Sequence, residues 1–561
     1  MSVAKRARHG WLIAPVLAFS FVVGCGDDDG DDGDKAPVDG GNAGDAGGKV
    51  DAGPVPGIDS GLDGGVKPDA GPGPGPDAGP GIKDKVVFAQ ISPTGHDRFY
   101  GVTYDAAGNI YAVGQTSSAI AAGSDSSFVL AKYSSAGVLD TTFGTSGFAI
   151  KNIVVGGLDV ETARGVVIQA DGKIVVAGQA EHAIYDSDAG VGALARDADI
   201  FVVRFTAQGQ LDTTFGTPST PGVVQHDVGT GVLTQPATLA DGGVPAQTLS
   251  GADSFWSLSL TSDNKLVIHT ATRGLGGSID GGVRTDTDFA LVRLSPDGAL
   301  DPTFGAAGGT PGIVRTDFSN TNASVRAATT LANGSIVGAG YSTNTVLTGT
   351  TATSQNPVLY KVNADGTPDT AFGTTDPVNT PGLWHDFARR DLKNAEAYGA
   401  FPQGNKFVTI GYGPTPNTAG SGTDLIYFRF NADGSQDRTF GTDGVAFIDI
   451  GGLGDNGRCV ATLPDNRIIG GGVGRLKPAT PPAAGTNAPA DAVISVLTEN
   501  GQPDPSFGTN GVRTYDFGGP GDHIWGITLA PNKKQVAAVG IQTGATATDD
   551  DDGAIVILDL P

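Results

Sequence analysis

Seven residues at one position of an internal repeat carry side chains suited to gripping a sugar or a carboxylate: Tyr100, Arg164, Trp256, Arg326, Tyr398, Arg458 and Trp525. Aromatic rings and guanidinium groups alternate along the series. The alternation breaks only where Trp525, the last member, meets Tyr100, the first. Aromatic faces offer stacking platforms, and a guanidinium offers a planar two-pronged donor to a carboxylate. Three positions earlier stand Asp97, Glu161, Asp253, Asp455 and Asp522, and the residue after each ring member is small. Two readings follow. The series forms a ligand-binding rim for a sugar, a peptide carboxylate or a charged polymer. Alternatively, each guanidinium stacks between neighbouring aromatics and pairs with the acids, tying one repeat to the next.

No other constellation competes with this ring. The histidines after the first thirty residues are His96, His182, His226, His269, His385 and His523, and none has the His-x-His or His-Glu-x-x-His spacing of a zinc site. His226-Asp227 and His385-Asp386 look like acid–base dyads. Their repeat equivalents Thr316-Asp317, Ile448-Asp449 and Tyr515-Asp516 keep the Asp and drop the His, so Asp is the repeat feature. There is no Gly-x-Ser-x-Gly elbow and no phosphate loop opening a helix. The runs Asp27–Asp34 and Asp549–Asp552 invite calcium, but the first lacks the alternating acids and closing Glu of a calcium loop. No catalytic residues, metal site or cofactor are therefore expected, with calcium at the acidic runs left open as an unsupported alternative.

The ring exists because the chain is repetitive. Asp-x-x-Phe-Gly recurs six times, from Asp140, Asp212, Asp301, Asp369, Asp437 and Asp504, at spacings of 72, 89, 68, 68 and 67 residues. Each unit carries four strand-like segments. The second, such as Ile174 to Gly178, occurs seven times and follows a tight turn such as Asp171-Gly172. The fourth occurs only six times. The missing copy is supplied by Val86–Ile91 if that segment pairs with Ala554–Leu558. The expectation is an all-β, seven-bladed propeller of four-stranded blades, closed by strand 86–91 on strand 554–558. In the repeated motif the Asp fixes the turn, the Phe fills the wedge between blades, and the Gly takes backbone angles other residues resist. Variation collects in the second-to-third strand connections and in the links between units, of which Val228–Ala252 is the longest. Recognition is expected there.

The segments Gly209-Gln210-Leu211-Asp212-Thr213-Thr214-Phe215-Gly216 and Asp171-Gly172-Lys173-Ile174-Val175-Val176-Ala177-Gly178 resemble the delta-60 repeat family of bacterial surface proteins. The resemblance spans roughly Lys85 to Pro561. It departs from the pattern where Asn264 and Asn466 replace the turn Gly and Gln436 replaces Leu. It implies a propeller-like surface protein and brings no catalytic residues with it.

The N-terminal region is read as export machinery. Lys5, Arg6 and Arg8 precede the apolar stretch Trp11–Val23, and Val23-Gly24-Cys25 resembles a bacterial lipobox. Residues 1–24 are thus expected to be a lipoprotein signal peptide, and Cys25 the lipidated residue. Residues 25–83 are expected to be a disordered tether, since from Gly26 to Ile82 they carry 13 Asp against Lys35, Lys49 and Lys67 and little apolar surface. Residues 84–561 form the propeller. Cys459 has no partner for an intramolecular disulfide once Cys25 is lipidated. With 35 basic against 60 acidic residues, nucleic acid is excluded as a partner. The expected protein is a monomer, exported and held at the bacterial cell envelope, at the outer membrane or cell surface, by its lipid. It serves as a non-catalytic binding module for an extracellular carbohydrate or protein. The alternatives are an extracellular polysaccharide lyase or hydrolase and a structural spacer or coat component.

Overall fold

The computed structural model describes residues 82–560 apart from 121–123, 156–160, 185–194, 230–252, 274–286, 309, 317–322, 344–354, 374–382, 386–394, 415–421, 452, 476–488 and 547–548, together with the bridge Val23–Gly24. Cys25, the tether and most of the variable connections lie outside the described residues.

Seven antiparallel four-stranded blades stand in a ring. The first comprises Asp97–Tyr104, Ile110–Ser117, Ser126–Tyr133 and Phe148–Lys151, paired in chain order. The next five repeat this order, beginning at Glu161, Asp253, Ala323, Glu396 and Asn456. The first strand of each blade touches the first strands of both neighbours all round, including His523–Leu529 against Asp97–Tyr104, so it is the innermost. The bridge Val23–Gly24 pairs with Ile527 and Gly526 on the free edge of one inner strand.

The seventh blade combines the two chain ends. Its strands His523–Leu529, Gln535–Gln542 and Asp552–Asp559 are followed outward by the N-terminal strand Lys83–Ala89. Val86 faces Val556 and Ala89 faces Gly553 in that ladder. The N-terminal strand thus runs Lys83–Ala89 where 86–91 was expected, and its partner runs Asp552–Asp559. Ile91 lies past the strand end because its N–H, with that of Ser92, is engaged by the Asp97 carboxylate.

Strand order fixes the two faces of the ring. Second-to-third connections and links between blades join strand ends on one face; tight turns and Asp-x-x-Phe-Gly occupy the other. Lys83 is paired with Asp559, at the end of a third strand, and Lys85 Nζ donates to Ala136 O in a tight turn of the first blade (2.6 Å). The chain therefore enters the ring from the tight-turn face.

The turn residues explain how the repeat tolerates drift. Gly172 sits at φ 82° in the turn before its second strand, and Asn264 and Asn466 take φ 61° and 67° at the equivalent point. Asparagine is among the few side chains that accept this region.

Asp-x-x-Phe-Gly works as a peg between blades. Asp212 Oδ1 accepts from Thr214 N (3.1 Å) and Oγ1 (2.6 Å), and its Oδ2 accepts from Arg204 Nε (2.8 Å). The Arg204 guanidinium lies 4.6 Å from the centre of the Phe215 ring, which is fully buried. Arg293–Asp301–Phe304 and Arg429–Asp437–Phe440 repeat the arrangement, and lysines serve at Lys132–Asp140–Phe143 and Lys361–Asp369–Phe372. Five of the six Phe side chains, from Phe143 to Phe440, press on the turn of the following blade; a Cβ on Gly209 would come within 2.9 Å of Phe143, and one on Gly298 within 2.7 Å of Phe215.

Candidate functional site

Every member of the aromatic–arginine series sits at or beside a β-bulge in its inner strand. Pairing with the second strand skips Tyr100, Arg164, Trp256, Arg326, Arg458 and Trp525, and in the fifth blade it breaks just after Tyr398. A bulged residue leaves the alternation of its strand and is re-aimed. Here the bulges turn the seven side chains toward one another around the ring, and the small residue that follows lets the blades approach. A Cβ on Gly101 would meet the Arg164 carbonyl oxygen at 2.2 Å.

The result is a closed girdle. Arg164 lies 5.2 Å from the Tyr100 ring and 5.7 Å from the Trp256 ring. Arg326 bridges Trp256 at 4.1 Å and Tyr398 at 5.2 Å, and Arg458 bridges Tyr398 at 5.1 Å and Trp525 at 4.7 Å. Trp525 and Tyr100 complete the circuit edge to face at 5.7 Å. An alternating ring of odd number must contain one like pair, and here it falls where the chain ends meet. All seven residues are between 1 % and 7 % exposed. The aromatic faces are covered by guanidinium groups and by one another, the arrangement expected of the blade-to-blade reading, and the bridge Val23–Gly24 lies against the same inner strands.

The acids ahead of the ring do something other than the expected pairing with its arginines. Each carboxylate binds N–H groups in the link that leads into its own inner strand. Glu161 accepts from Ile153 N (2.9 Å) and Val154 N, Asp253 from Val228 N (2.6 Å), Asp455 from Ile450 N (2.8 Å), and Asp522 from Phe517 N (2.7 Å). The carboxylate that does meet a ring arginine is Glu396, 2.9 Å from Arg326 Nε, with both side chains 1 % exposed. Sequence spacing missed it because it precedes its ring member, Tyr398, by two residues instead of three.

These staples set a pH dependence. Burial, opposed by the hydrogen bonds, pushes Asp97 and Glu161 up to about 7 and Asp522 up to about 6. A carboxyl whose folded pKa exceeds its unfolded value holds its proton better in the native state. It contributes stability that is fully present below the unfolded carboxylate value and is lost as pH rises from there through 6 to 7. The peg acids act oppositely. Burial raises Asp212, but hydrogen bonds from Thr214 and Lys173 and the Arg204 charge outweigh it and hold the carboxyl at about 2. Asp301 and Asp437 are likewise depressed, so their stabilisation is lost as pH falls below the ordinary carboxylate range. The melting temperature is expected to peak near pH 4 (about the ordinary carboxylate pKa) and to decline from there to about pH 7. Calorimetry from about pH 2.5 to about pH 8.5 checks this, and a melting temperature that climbs between the ordinary carboxylate range and neutrality would refute it.

The histidines are scattered. His269 is fully buried, its Nδ1 3.0 Å from Ser257 Oγ, and burial pushes it down to about 3. This serine–histidine pair, which the sequence reading missed, is sealed from solvent, and Ser257 Oγ also accepts from Ala328 N (3.2 Å). His226 bonds the Gly298 carbonyl, and His523 stacks on Trp525 with ring centres 5.4 Å apart. The backbones of His182 and His385 lie in strands of two different blades. Two hollows of about 210 and 240 Å³ lie among the turns, lined in part by Lys151 and Leu211 and by Lys406 and Arg429, away from the girdle. The arrangement binds blades together; among the described residues it does not converge on a reacting centre.

Comparison with known proteins agrees with the architecture. A family model described as a domain of unknown function (DUF5122) beta-propeller matches residues 169–215, 261–304 and 331–372. No curated protein matches the chain in sequence. Among solved structures, the chain is similar to the polysaccharide lyase Uly1, with 10 % identity over 84 % of this chain and 91 % of that one and a TM-score of 0.41. It is also similar to the beta-propeller domain of the Trilobed protease from Pyrococcus furiosus, with 11 % identity over 82 % and 94 % and a TM-score of 0.32. A PL25 ulvan lyase bound to its saccharide gives 9 % identity over 82 % and 92 % and a TM-score of 0.37. Likenesses this distant carry no argument about activity.

Proposed function

We propose that this protein is a lipid-anchored propeller of the bacterial envelope that binds an extracellular carbohydrate or protein without chemical turnover, through its variable-connection face. The observation that carries the reading is strand polarity. The chain enters the ring at Lys83 on the tight-turn face, opposite the strand ends joined by the variable connections. A tether anchored at Cys25 and arriving on the tight-turn face would hold the variable connections away from the membrane. A rigid closed ring supporting irregular connections on its outward face is an arrangement suited to recognition. The residues best suited to catalysis or ligand capture, those of the girdle, are engaged with one another, which favours recognition by the connections over chemistry at the axis.

The test joins anchoring to binding. Cys25→Ser is expected to move the protein from the membrane fraction to the soluble one. The purified protein, titrated calorimetrically with oligosaccharides and peptides, is expected to show saturable binding that is lost when residues 230–252 or 344–354 are replaced by short Gly-Ser turns, with the melting temperature unchanged. Turnover of a bound polysaccharide, or binding that survives both replacements, would overturn the reading.

A further inference from the structure

Three repeat positions that the function above does not use come together at the junctions between blades. One lies in the first half of the third strand, one directly after the fourth, and one at or just before the start of the next inner strand. At the junction of the second and third blades they are Asp199, Asp227 and Asp253, and at that of the fifth and sixth they are Asp424, Asp449 and Asp455. In each triad, one carboxylate oxygen per residue lies within 4.8 Å of the other two. That is the separation of two oxygens sharing a cation at ~2.4 Å.

Each triad also contains a buried carboxylate oxygen without a hydrogen bond. Asp424 is 4 % exposed and its Oδ2 has no partner. Asp253 is fully buried; its Oδ2 accepts from Val228 N, while its Oδ1 has no partner at hydrogen-bond distance, the Thr272 hydroxyl being the polar group beside it. Burying an unpaired carboxylate oxygen is costly, and crowding three acids around it adds repulsion. Arg315 attracts Asp253 and Asp227, but its own buried Nη1 is without a hydrogen-bond partner.

We propose that each triad is a binding site for a hard divalent cation, calcium by its all-oxygen carboxylate donors, clamping the junction between two blades. Each site has one exposed corner, Asp227 or Asp449, through which an ion can enter. The other junctions bound the claim. Asp491, Asp516 and Asp522 occupy the same three positions between the sixth and seventh blades, but they do not converge to the same distance. Ser127, Asn152 and Glu161 stand at the first junction, with one carboxylate among them. Among the described residues two such sites stand in the ring, so at least two ions per chain are expected.

Equilibrium dialysis of the purified full chain against calcium chloride, read by elemental analysis, tests this directly. The acidic N-terminal run adds a background, so the decisive quantity is the loss on substitution. Asp227→Asn and Asp449→Asn sit at the exposed corners. The amide oxygen introduced by Asp449→Asn can still accept the Gly451 N–H that the Asp449 carboxylate accepts at 3.0 Å. Each substitution is expected to release one ion per chain and the pair two, whereas Asp516→Asn releases none. Calcium is expected to raise the melting temperature of the parent by a few degrees and leave that of the double variant unmoved. Magnesium, with its stricter octahedral demand, is expected to do less. Uptake unchanged in the double variant, or the same loss from Asp516→Asn, would overturn the proposal. Should the double variant fold poorly, the single variants decide by the same count.

Discussion

Arg326→Ala is expected to lower the free energy of unfolding by about 3–5 kcal/mol, the usual cost of stranding one partner of a buried ion pair. The residue lies at the centre of the longest stretch of girdle. Its guanidinium meets Glu396 at 2.9 Å and spans the rings of Trp256, Tyr341 and Tyr398 at 4.1, 4.8 and 5.2 Å. Alanine removes the counter-charge and leaves Glu396, 1 % exposed, with a hydrogen bond from Tyr412 (2.7 Å) but no cation. Because the loss is one of uncompensated charge, Arg326→Met is expected to be nearly as damaging, while Arg326→Met with Glu396→Gln recovers part of it. Arg438→Ala, which breaks a pair 54 % exposed on both sides, is expected to change stability by less than about 1 kcal/mol. Urea unfolding of the four variants checks the set. If Arg326→Ala and Arg438→Ala cost the same, the girdle is not a stabilising device.

This contrast bears on how far the sequence could be read. The fold was legible because its signals are local and repeated: Asp212 and Phe215 stand three residues apart, and the Asp171-Gly172 turn carries its own backbone requirement. The ring residues were also legible as a set, because alternation at a fixed repeat position needs no structure to see. Their state was not. Whether Arg164 faces solvent or lies between Tyr100 and Trp256 depends on a bulge, and a bulge is set by how two strands pair and leaves little mark on composition. The acids failed for a related reason. Spacing places Asp253 beside the ring, yet its partner, Val228 N, is 25 residues upstream across a variable link. The triads were hidden more deeply, since Asp199 and Asp253 come from two strands and Asp227 from just past a third, and they meet only when blades pack.

Deleting Lys83–Ala89 is expected to do comparable damage by a different route, because it opens the one blade that draws on both chain ends. The strand forms a ladder with Gly553–Asp559 and contributes Val86, Val87 and Ala89 to the packing beneath it. Half-burial of two valines and burial of one alanine are worth about 3 kcal/mol in apolar transfer alone. The loss also strips cover from Ile555 and Ile557 and exposes the Asp552–Asp559 edge. Unpaired edges with apolar flanks template association, so the truncated protein is expected to melt lower and to form dimers or larger species. Light scattering after size-exclusion chromatography reads the second effect. A synthetic peptide of residues 82–90 supplied in trans can add to the same edge and is expected to restore the monomer and raise the melting temperature, whereas a scrambled peptide does neither. A truncated chain that stays monomeric and melts with the parent would mean the other six blades hold the ring without it. If the peptide rescues, the ladder between Lys83–Ala89 and Gly553–Asp559 is what closes the seventh blade, and the ring owes its integrity to a strand contributed from the other end of the fold.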